Sequence, residues 1–278
     1  MLFHIGVLFV IKNKLWELNC FSYETACENF RSSNLSSDLV TTFLDDAGGD
    51  LKQFCELVAM YFSNPGEAAD LNDLRMRCET ARTYHNADFS EICANIYAVW
   101  NDLELFPVGK IANDSAAEIS FENSWMYSRT FGGDRGHEGC DIMATLNERG
   151  LYPIYSMTDG IVENIGWLRL GGYRIGIRSP SGAYFYYAHM SEYAKEFRVG
   201  EQITAGEHLG FMGDTGYSDI PGTTGNFPVH LHLGIYLNDE NGKEYAINSY
   251  PMLKYLYDLS VWNTENSEGS NLQRTKEG

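Results

Sequence analysis

Positive charge is scarce in this 278-residue sequence. Only 20 lysines and arginines stand against 38 aspartates and glutamates, and the formal net charge is −18. A protein that binds nucleic acid usually shows a basic patch or stripe, so we expect no nucleic-acid partner. The same charge argues against simple electrostatic attraction to a polyanionic surface.

The apolar run at the start of the sequence is short. Leu2–Ile11 has ten residues, whereas a membrane-spanning helix needs about 20. A secretory signal would have basic residues before this run and small residues after it, but Lys12 and Lys14 follow it. Two interpretations stay open: a buried helix or strand, or an incomplete or unusual anchor that gives membrane association through the N-terminus.

The sequence also lacks any CxxC pair, which argues against a zinc ribbon. Its six cysteines are an even number, so disulfides are allowed in an oxidising compartment, and buried thiols are the equally plausible alternative.

The spacing of apolar residues and turn signals divides the chain into three regions. Residues 13–105 carry apolar residues at helical spacing, interrupted by Gly48-Gly49 and by the turn signal Ser63–Gly66. After Phe106-Pro107, short alternating runs separated by turns are typical of β-structure. We therefore predict a helical region at 1–110 and a β-rich domain at 111–260. A polar, disordered tail is expected at 261–278.

Several β-strands are predicted within the second region. Tyr173–Arg178 and Ala183–His189 flank the turn Ser179–Gly182 and should form a hairpin. The other candidates are Gly160–Trp167, His208–Met212 and Val229–Leu237.

Four histidines of the β-rich region lie in sequence contexts that suggest a shared chemical role. They are His137, His189, His230 and His232. His230 and His232 belong to the alternating run PVHLHLGI, and residues two apart in a strand point to the same face. His137 and Asp141 are four apart in RGHEGCDIMA, where two glycines weaken a helix, so we expect a loop or strand there.

These residues suggest a metal site. A catalytic zinc usually has three protein ligands and one open position, and His137, Asp141 and one histidine of the pair would supply the three. Zinc suits two nitrogens and one oxygen better than manganese or iron does. A single HxH strand is often a surface coincidence, and the helical HExxH motif does not fit, because position 141 is aspartate.

The stretches GHEGCDIMA, YYAHMSE and VHLHLGIY together resemble the three motifs of the lysostaphin/LytM-type zinc endopeptidases. The resemblance covers roughly residues 112–258. It implies an α+β chain, in which an antiparallel all-β peptidase domain of the duplicated hybrid motif, barrel-sandwich-like, follows the helical N-terminal region. It also implies cleavage of peptide cross-links in bacterial peptidoglycan.

The resemblance assigns a role to each residue of the motifs. His137 and Asp141 match the HxxxD ligands and His232 the third ligand of one Zn2+ per chain. His230 matches the general base that acts on the zinc-activated water, and His189 matches a histidine that orients or stabilises the transition state. In one departure, Gly225–Val229 replaces the short small-residue stretch that commonly precedes the HLH motif, which changes the cleft wall.

The remaining residues of interest receive structural interpretations. Cys140 should point away from the metal if its segment is extended. Tyr187 shares the face of His189 in a regular strand, where it either lines the cleft or packs in the core. His4, His85 and His208 stand outside the motifs and are interpreted as structural or surface residues.

The sequence therefore predicts a zinc metalloendopeptidase whose partner is a peptidoglycan peptide. Its location would be extracytoplasmic, in the cell envelope or secreted. The main alternative is a catalytically idle LytM-like module that binds wall peptide or activates a partner hydrolase. A β-rich carbohydrate-binding module would not need two histidines beyond a full ligand set. A pro-segment that covers the cleft is one hypothesis for residues 13–105.

Overall fold

A computed structural model describes Lys14, Trp16 and residues 19–33, 35–65, 70–111 and 116–269, with only the backbone described from residue 261 onward. The apolar run Leu2–Ile11 lies outside these residues. Within them, no helix combines the length and the apolar character that crossing a membrane requires.

The helical region is confirmed. Its helices are α1 (Tyr23–Ser32), α2 (Ser37–Asp46), α3 (Leu51–Ser63), α4 (Leu71–Tyr84) and α5 (Asn86–Trp100). The first four begin after a serine or aspartate whose side-chain oxygen accepts a hydrogen bond from a backbone N–H of the first turn, which satisfies donors that the helix leaves unpaired. Gly48 and Gly49, both at positive φ, follow α2.

The β-rich region forms an antiparallel sheet of ten strands, as the fold class predicts. The strands are β1 (Ile119–Phe121), β2 (Ser128–Arg129), β3 (Arg135–Gly136), β4 (Cys140–Ala144), β5 (Pro153–Tyr155), β6 (Gly160–Leu168), β7 (Gly172–Arg178), β8 (Tyr184–Tyr193), β9 (Gln202–Ile203), β10 (His208–Met212), β11 (His230–Asn238) and β12 (Glu244–Ile247). Seven strands follow one another in the sheet in the order β1-β4-β11-β8-β7-β6-β9. In addition, β10 pairs with β5 and β8, and β12 pairs with β11. Strands β2 and β3 form a separate two-stranded ribbon.

The described residues group into two compact units. One contains the chain up to Asp102 together with Ser181–Ala183 and Ile235–Asn248, and the other contains Leu103–Pro180, Tyr184–Gly234 and the chain from Ser249 onward. The N-terminal segment of the first unit thus ends at Asp102, and β12 and the end of β11 belong with the helices.

Helix α6 (Tyr250–Gly269) extends into the segment that the sequence analysis assigns to a disordered tail. Its Tyr257 ring lies 5.3 Å from the ring of Phe106 and 5.5 Å from that of Phe121. Once a helix is anchored in this way, adding further turns is far easier than starting a new helix. The backbone of 261–269 is accordingly helical, and 270–278 lies outside the described residues.

Candidate metal and catalytic site

His137 lies in the loop after β3, where it is 2% exposed. Its Nδ1 is 3.2 Å from the carbonyl oxygen of Ser124 and 3.0 Å from the hydroxyl oxygen of the same residue. A carbonyl oxygen can only accept, so Nδ1 carries the hydrogen and Nε2 of a neutral ring carries a lone pair. Ligand histidines in metal sites are held in the same way.

Asp141 and His232 come together because their strands are in register. Asp141 on β4 lies directly opposite His232 on β11. Nδ1 of His232 is 2.9 Å from Oδ1 of Asp141 and 3.0 Å from Nε2 of His137, and Nε2 of His137 is 3.0 Å from the same carboxylate oxygen. Three potential ligand atoms, from residues up to 95 positions apart, therefore converge on one point.

The donor set fits a zinc ion. A lone pair on His137 and a carboxylate oxygen at 3.0 Å repel each other unless a positive charge lies between them. The group satisfies the geometric requirement for holding a metal, and its two nitrogens and one oxygen are ligands that zinc accepts. Burial raises the pKa of Asp141, but the adjacent imidazoles of His137, His232 and His230 hold it well below its ordinary value. The carboxylate is thus ionised, as a ligand must be.

His230 and His189 lie beside this group. Nδ1 of His230 is 2.8 Å from the carbonyl oxygen of Pro228, and Nδ1 of His189 is 2.8 Å from that of Thr215. The two imidazole centroids are 4.7 Å apart, and Nε2 of His230 is 3.8 Å from Oδ1 of Asp141. Each neutral ring therefore directs its hydrogen to a carbonyl and keeps a lone pair on Nε2.

His189 is strained and fully enclosed. It has a φ of 62°, in the left-handed region that most residues avoid, and it lies where the pairing of β7 with β8 shifts register. Burial lowers its pKa well below the ordinary value, and the neighbouring His230 and His232 lower it further. The uncharged form of the ring is therefore favoured.

The shift of register overturns the expectation that Tyr187 and His189 share a face. Tyr187 is fully buried, and its hydroxyl oxygen accepts a hydrogen bond from the backbone N–H of Met157 at 2.8 Å. Tyr186 lies near the site instead, with its ring centroid 6.0 Å from that of His232. Tyr187 is therefore a core residue.

The sequence analysis missed an arginine that contacts the ligand set. Nη2 of Arg129 donates to Oδ2 of Asp141 at 2.7 Å, so the carboxylate uses its second oxygen for an ion pair. Arg129 stands alone in a short strand, and no motif marks it.

The sequence analysis also missed an aromatic wall beside the two non-ligand histidines. The ring of Phe227 lies 4.6 Å from that of His189 and 4.8 Å from that of Tyr217. Tyr217 in turn stacks on Phe131 at 4.4 Å. Phe227 belongs to the Gly225–Val229 stretch that precedes the HLH motif. The sequence analysis expects this stretch to change the cleft wall, and the aromatic ring of Phe227 is the group that does so.

An ion pair secures the loop that carries this wall. Nη2 of Arg149 donates to Asp214 at 3.0 Å, and Nε of Arg149 donates to the other carboxylate oxygen. Asp214 is 4% exposed and also accepts from the backbone N–H of Gly225 at 2.8 Å. The two ends of the segment 214–225 are therefore held together.

The remaining candidates have structural surroundings. Cys140 is buried with its Sγ 3.4 Å from the carbonyl oxygen of Glu122, and burial raises the pKa of its thiol. All six cysteines lie in the described residues, and each is a thiol rather than half of a disulfide. Nε2 of His208 is 3.0 Å from the carbonyl oxygen of Gly210, and His85 packs at 5.8 Å against Phe21. His4 lies outside the described residues.

The β-rich fold carries a His/Asp/His group that could hold a metal ion, and comparison with known proteins supplies the family. Residues 135–245 match the model of peptidase family M23. A crystal structure from Ruminococcus gnavus, of a provisionally named glycyl-glycine endopeptidase lytM, is 39% identical and superposes with a TM-score of 0.68, covering 83% of this chain and 90% of that one. The chain belongs to peptidase family M23, and its resemblance to the lysostaphin/LytM group is confirmed.

Two named relatives match parts of the chain. An L-Ala–D-Glu endopeptidase of Bacillus subtilis is 42% identical over 137 residues, which is 49% of this chain and 40% of the relative. The glycyl-glycine endopeptidase ALE-1 of Staphylococcus capitis is 28% identical over 55% of this chain and 42% of the relative. The matched segment thus spans less than half the length of either relative.

Proposed function

We propose that this protein is a zinc-dependent endopeptidase that hydrolyses peptide bonds in bacterial peptidoglycan. The observation that carries the proposal is the convergence of His137 Nε2, Asp141 Oδ1 and His232 Nδ1 within about 3 Å of one another. These residues would hold one Zn2+ per chain. Two neutral imidazoles and one carboxylate leave the bound ion a net positive charge. Zinc bound there would polarise a peptide carbonyl and lower the pKa of a water molecule.

His230 and His189 would manage the protons. His230 presents Nε2 toward the ligand group, 3.8 Å from Asp141, and is the residue placed to accept a proton from the attacking water. His189, whose ring is 4.7 Å from that of His230, would orient the reacting groups or stabilise the transition state. Negative charge that develops on the substrate oxygen would favour the protonated ring and so offset the effect of burial. The carbonyls of Pro228 and Thr215 fix both rings, so neither must reorient during the reaction.

The substrate class follows from the relatives. Their names specify two different peptide bonds, L-Ala–D-Glu and glycyl-glycine, and both belong to peptidoglycan peptides. We extend that class, and with it an extracytoplasmic location, to this chain. The boundaries 1–110, 111–260 and 261–278 likewise remain our working division of the sequence.

The test measures zinc and hydrolysis together. The wild type should contain one zinc per chain by elemental analysis and should release soluble peptides from purified peptidoglycan. The variant His232→Ala should lose both. His208→Ala is the matched control, since it removes a histidine that contacts a backbone carbonyl away from the ligand group.

The outcomes separate the alternatives. Zinc without hydrolysis would favour an idle LytM-like module that binds wall peptide or activates a partner hydrolase. A wild type that binds no zinc, even after incubation with the metal, would contradict the proposal. The observation that favours the enzyme is that the two histidines beyond the ligand set have their tautomers fixed for proton transfer.

A further inference from the structure

Three arginines surround the candidate metal site in a chain that is otherwise strongly acidic. Two of them, Arg129 and Arg135, lie directly opposite each other in the ribbon formed by β2 and β3. Like charges at such positions destabilise a strand pair. Arg129 is neutralised by Asp141, which leaves Arg135 without a compensating charge among its described contacts.

The third arginine, Arg174, belongs to β7 of the large sheet. Asp141 on β4 pairs with His232 on β11, and β8 follows β11 in the sheet with Tyr186 at 6.0 Å from His232. Tyr186 pairs with Gly176 on β7. Because residues two apart in a strand share a face, Arg174 lies on the same face of β7 as Gly176. One row of side chains thus runs from the metal ligands through Tyr186 to Arg174.

One buried nitrogen in each of two half-buried guanidinium groups has no partner among the described residues. Nε of Arg135 and Nη1 of Arg174 are buried and have no hydrogen-bond partner among the described residues. The ion pairs of the described residues include neither side chain. A buried, unpaired charged donor is costly, and a guanidinium is built to bind a carboxylate through paired hydrogen bonds.

Both charges act on the same small region. Burial raises the pKa of Tyr186, while the positive charges of Arg174 and Arg135 act in the opposite direction on its hydroxyl group. The two arginines, from two separate strands, thus both act on Tyr186, whose ring lies 6.0 Å from that of the candidate ligand His232.

We propose that Arg135 and Arg174 form a subsite that binds a carboxylate group of the peptide substrate close to the cleaved bond. This inference rests on the function proposed above and specifies its substrate. An extended peptide advances about 3.3–3.6 Å per residue, and Tyr186 lies 6.0 Å from His232, so the bound carboxylate would belong to a residue close to the carbonyl at the metal. The site would select peptides with an acidic residue at the bond over a bridge of glycines, which offers no side-chain or branch carboxylate.

The test compares two peptides that differ in one charge. Both contain an L-Ala–D-Glu bond, the first with a free α-carboxylate on the glutamate and the second with an α-carboxamide. The wild type should cleave the carboxylate peptide with a kcat/KM at least about tenfold higher, because hydrogen bonds to a charged group contribute more than neutral ones. Pentaglycine should be cleaved more slowly than either.

Substitution of the arginines should remove this preference. Arg174→Gln and Arg135→Gln should each bring the ratio of the two kcat/KM values toward one. Arg198→Gln, at a side chain that is 81% exposed, should leave the ratio of the wild type. If either variant fails to fold, the peptide pair still tests the subsite in the wild type.

Failure of the subsite is distinguishable from failure of the enzyme. Zinc binding and equal cleavage of the two peptides would overturn the subsite alone. Absence of zinc would overturn the function on which it rests. If zinc is bound and neither peptide is cleaved, calorimetric dissociation constants decide: tighter binding of the carboxylate peptide supports the subsite, and equal constants contradict it.

Discussion

Backbone carbonyl groups determine which ring nitrogen carries the hydrogen in three histidines at the site. The carbonyl oxygens of Ser124, Thr215 and Pro228 each face an Nδ1 atom, and in each case Nε2 is the nitrogen left for chemistry. The position of a hydrogen is thus set by backbone atoms, which no substitution of the acceptor's side chain removes. The orientation of a candidate ligand ring then depends mainly on the space around it.

Gly139 controls that room for His232. A Cβ atom added at position 139 would lie 2.6 Å from Cε1 of His232 and 2.7 Å from the carbonyl oxygen of Leu233, closer than carbon atoms approach without displacement. We predict that Gly139→Ala weakens zinc binding by about ten- to a hundredfold, the range seen when groups that orient a ligand are changed. Zinc titration against a chelator measures the effect.

Gly133→Ala is the control for this prediction. An added Cβ meets nothing within 4 Å there, although φ is 117°, so its strain should lower stability without changing zinc affinity. Unchanged zinc affinity in Gly139→Ala would show that His232 adapts to the added methyl group.

At the scale of elements, the loop 214–225 carries both Thr215, which holds His189, and Tyr217 of the aromatic wall. Two interactions hold the loop: Arg149 forms an ion pair with Asp214, and the backbone N–H of Gly225 donates a hydrogen bond to the same carboxylate. Thr215 is also fixed by its hydroxyl, which donates to the carbonyl of Met190 at 2.7 Å. Positioning of His189 therefore depends on contacts well outside its own strand.

We predict that Arg149→Gln loosens this loop and lowers kcat/KM by roughly tenfold, since a displacement of about 1 Å at a reacting group can cost about a hundredfold. Zinc content should not change, because neither residue of the ion pair is a ligand. Hydrogen exchange of the backbone should accelerate within 214–225. Arg198→Gln, at a side chain that is 81% exposed and outside this loop, is the control, and equal exchange in the two variants would contradict the prediction.

Regular elements were predictable from the sequence because their periodicity is local. Alternation identified the β7–β8 hairpin and the strand of His230 and His232, and helical spacing identified α2 and α3 on either side of Gly48-Gly49. The assumption of regularity was wrong at His189, where the register shift places Tyr187 in the core. A bulge depends on the partner strand, so alternation within one strand cannot reveal it.

At the scale of the whole molecule, the sequence motifs pointed to the three candidate ligands that converge in the structure, but not to their surroundings. Arg129 and Arg174 lie in strands outside the three motifs, and Arg135 stands directly before the first of them. Their relation to Asp141 and Tyr186 depends on pairing between strands, which the motifs do not encode. The composition gave no sign of these arginines, because a net charge of −18 describes the chain as a whole. A local cluster of opposite sign is invisible to an average.

The helical unit also depends on residues that the sequence separates widely. Asn248, directly after β12, donates its backbone N–H to the carbonyl of Arg31 at 2.9 Å and its Nδ2 to the carbonyl of Ser32 at 2.8 Å. These are terminal carbonyls of α1, which the helix itself leaves unpaired. The hypothesis that residues 13–105 are a removable pro-segment must therefore account for a helix that is capped from position 248.

We predict that Asn248→Ala lowers the free energy of unfolding by about 1–3 kcal/mol, the usual cost of leaving a buried polar group unsatisfied, since Asn248 is fully buried. Zinc content should remain that of the wild type. Denaturant unfolding measures the change, with Asn241→Ala at an exposed turn as the control. If Asn248→Ala is as stable as the control, the helices do not rely on this cap, and deletion of residues 1–102 becomes a clean test of inhibition. If it is destabilised, activity lost on deletion would report lost stability and could not identify a pro-segment.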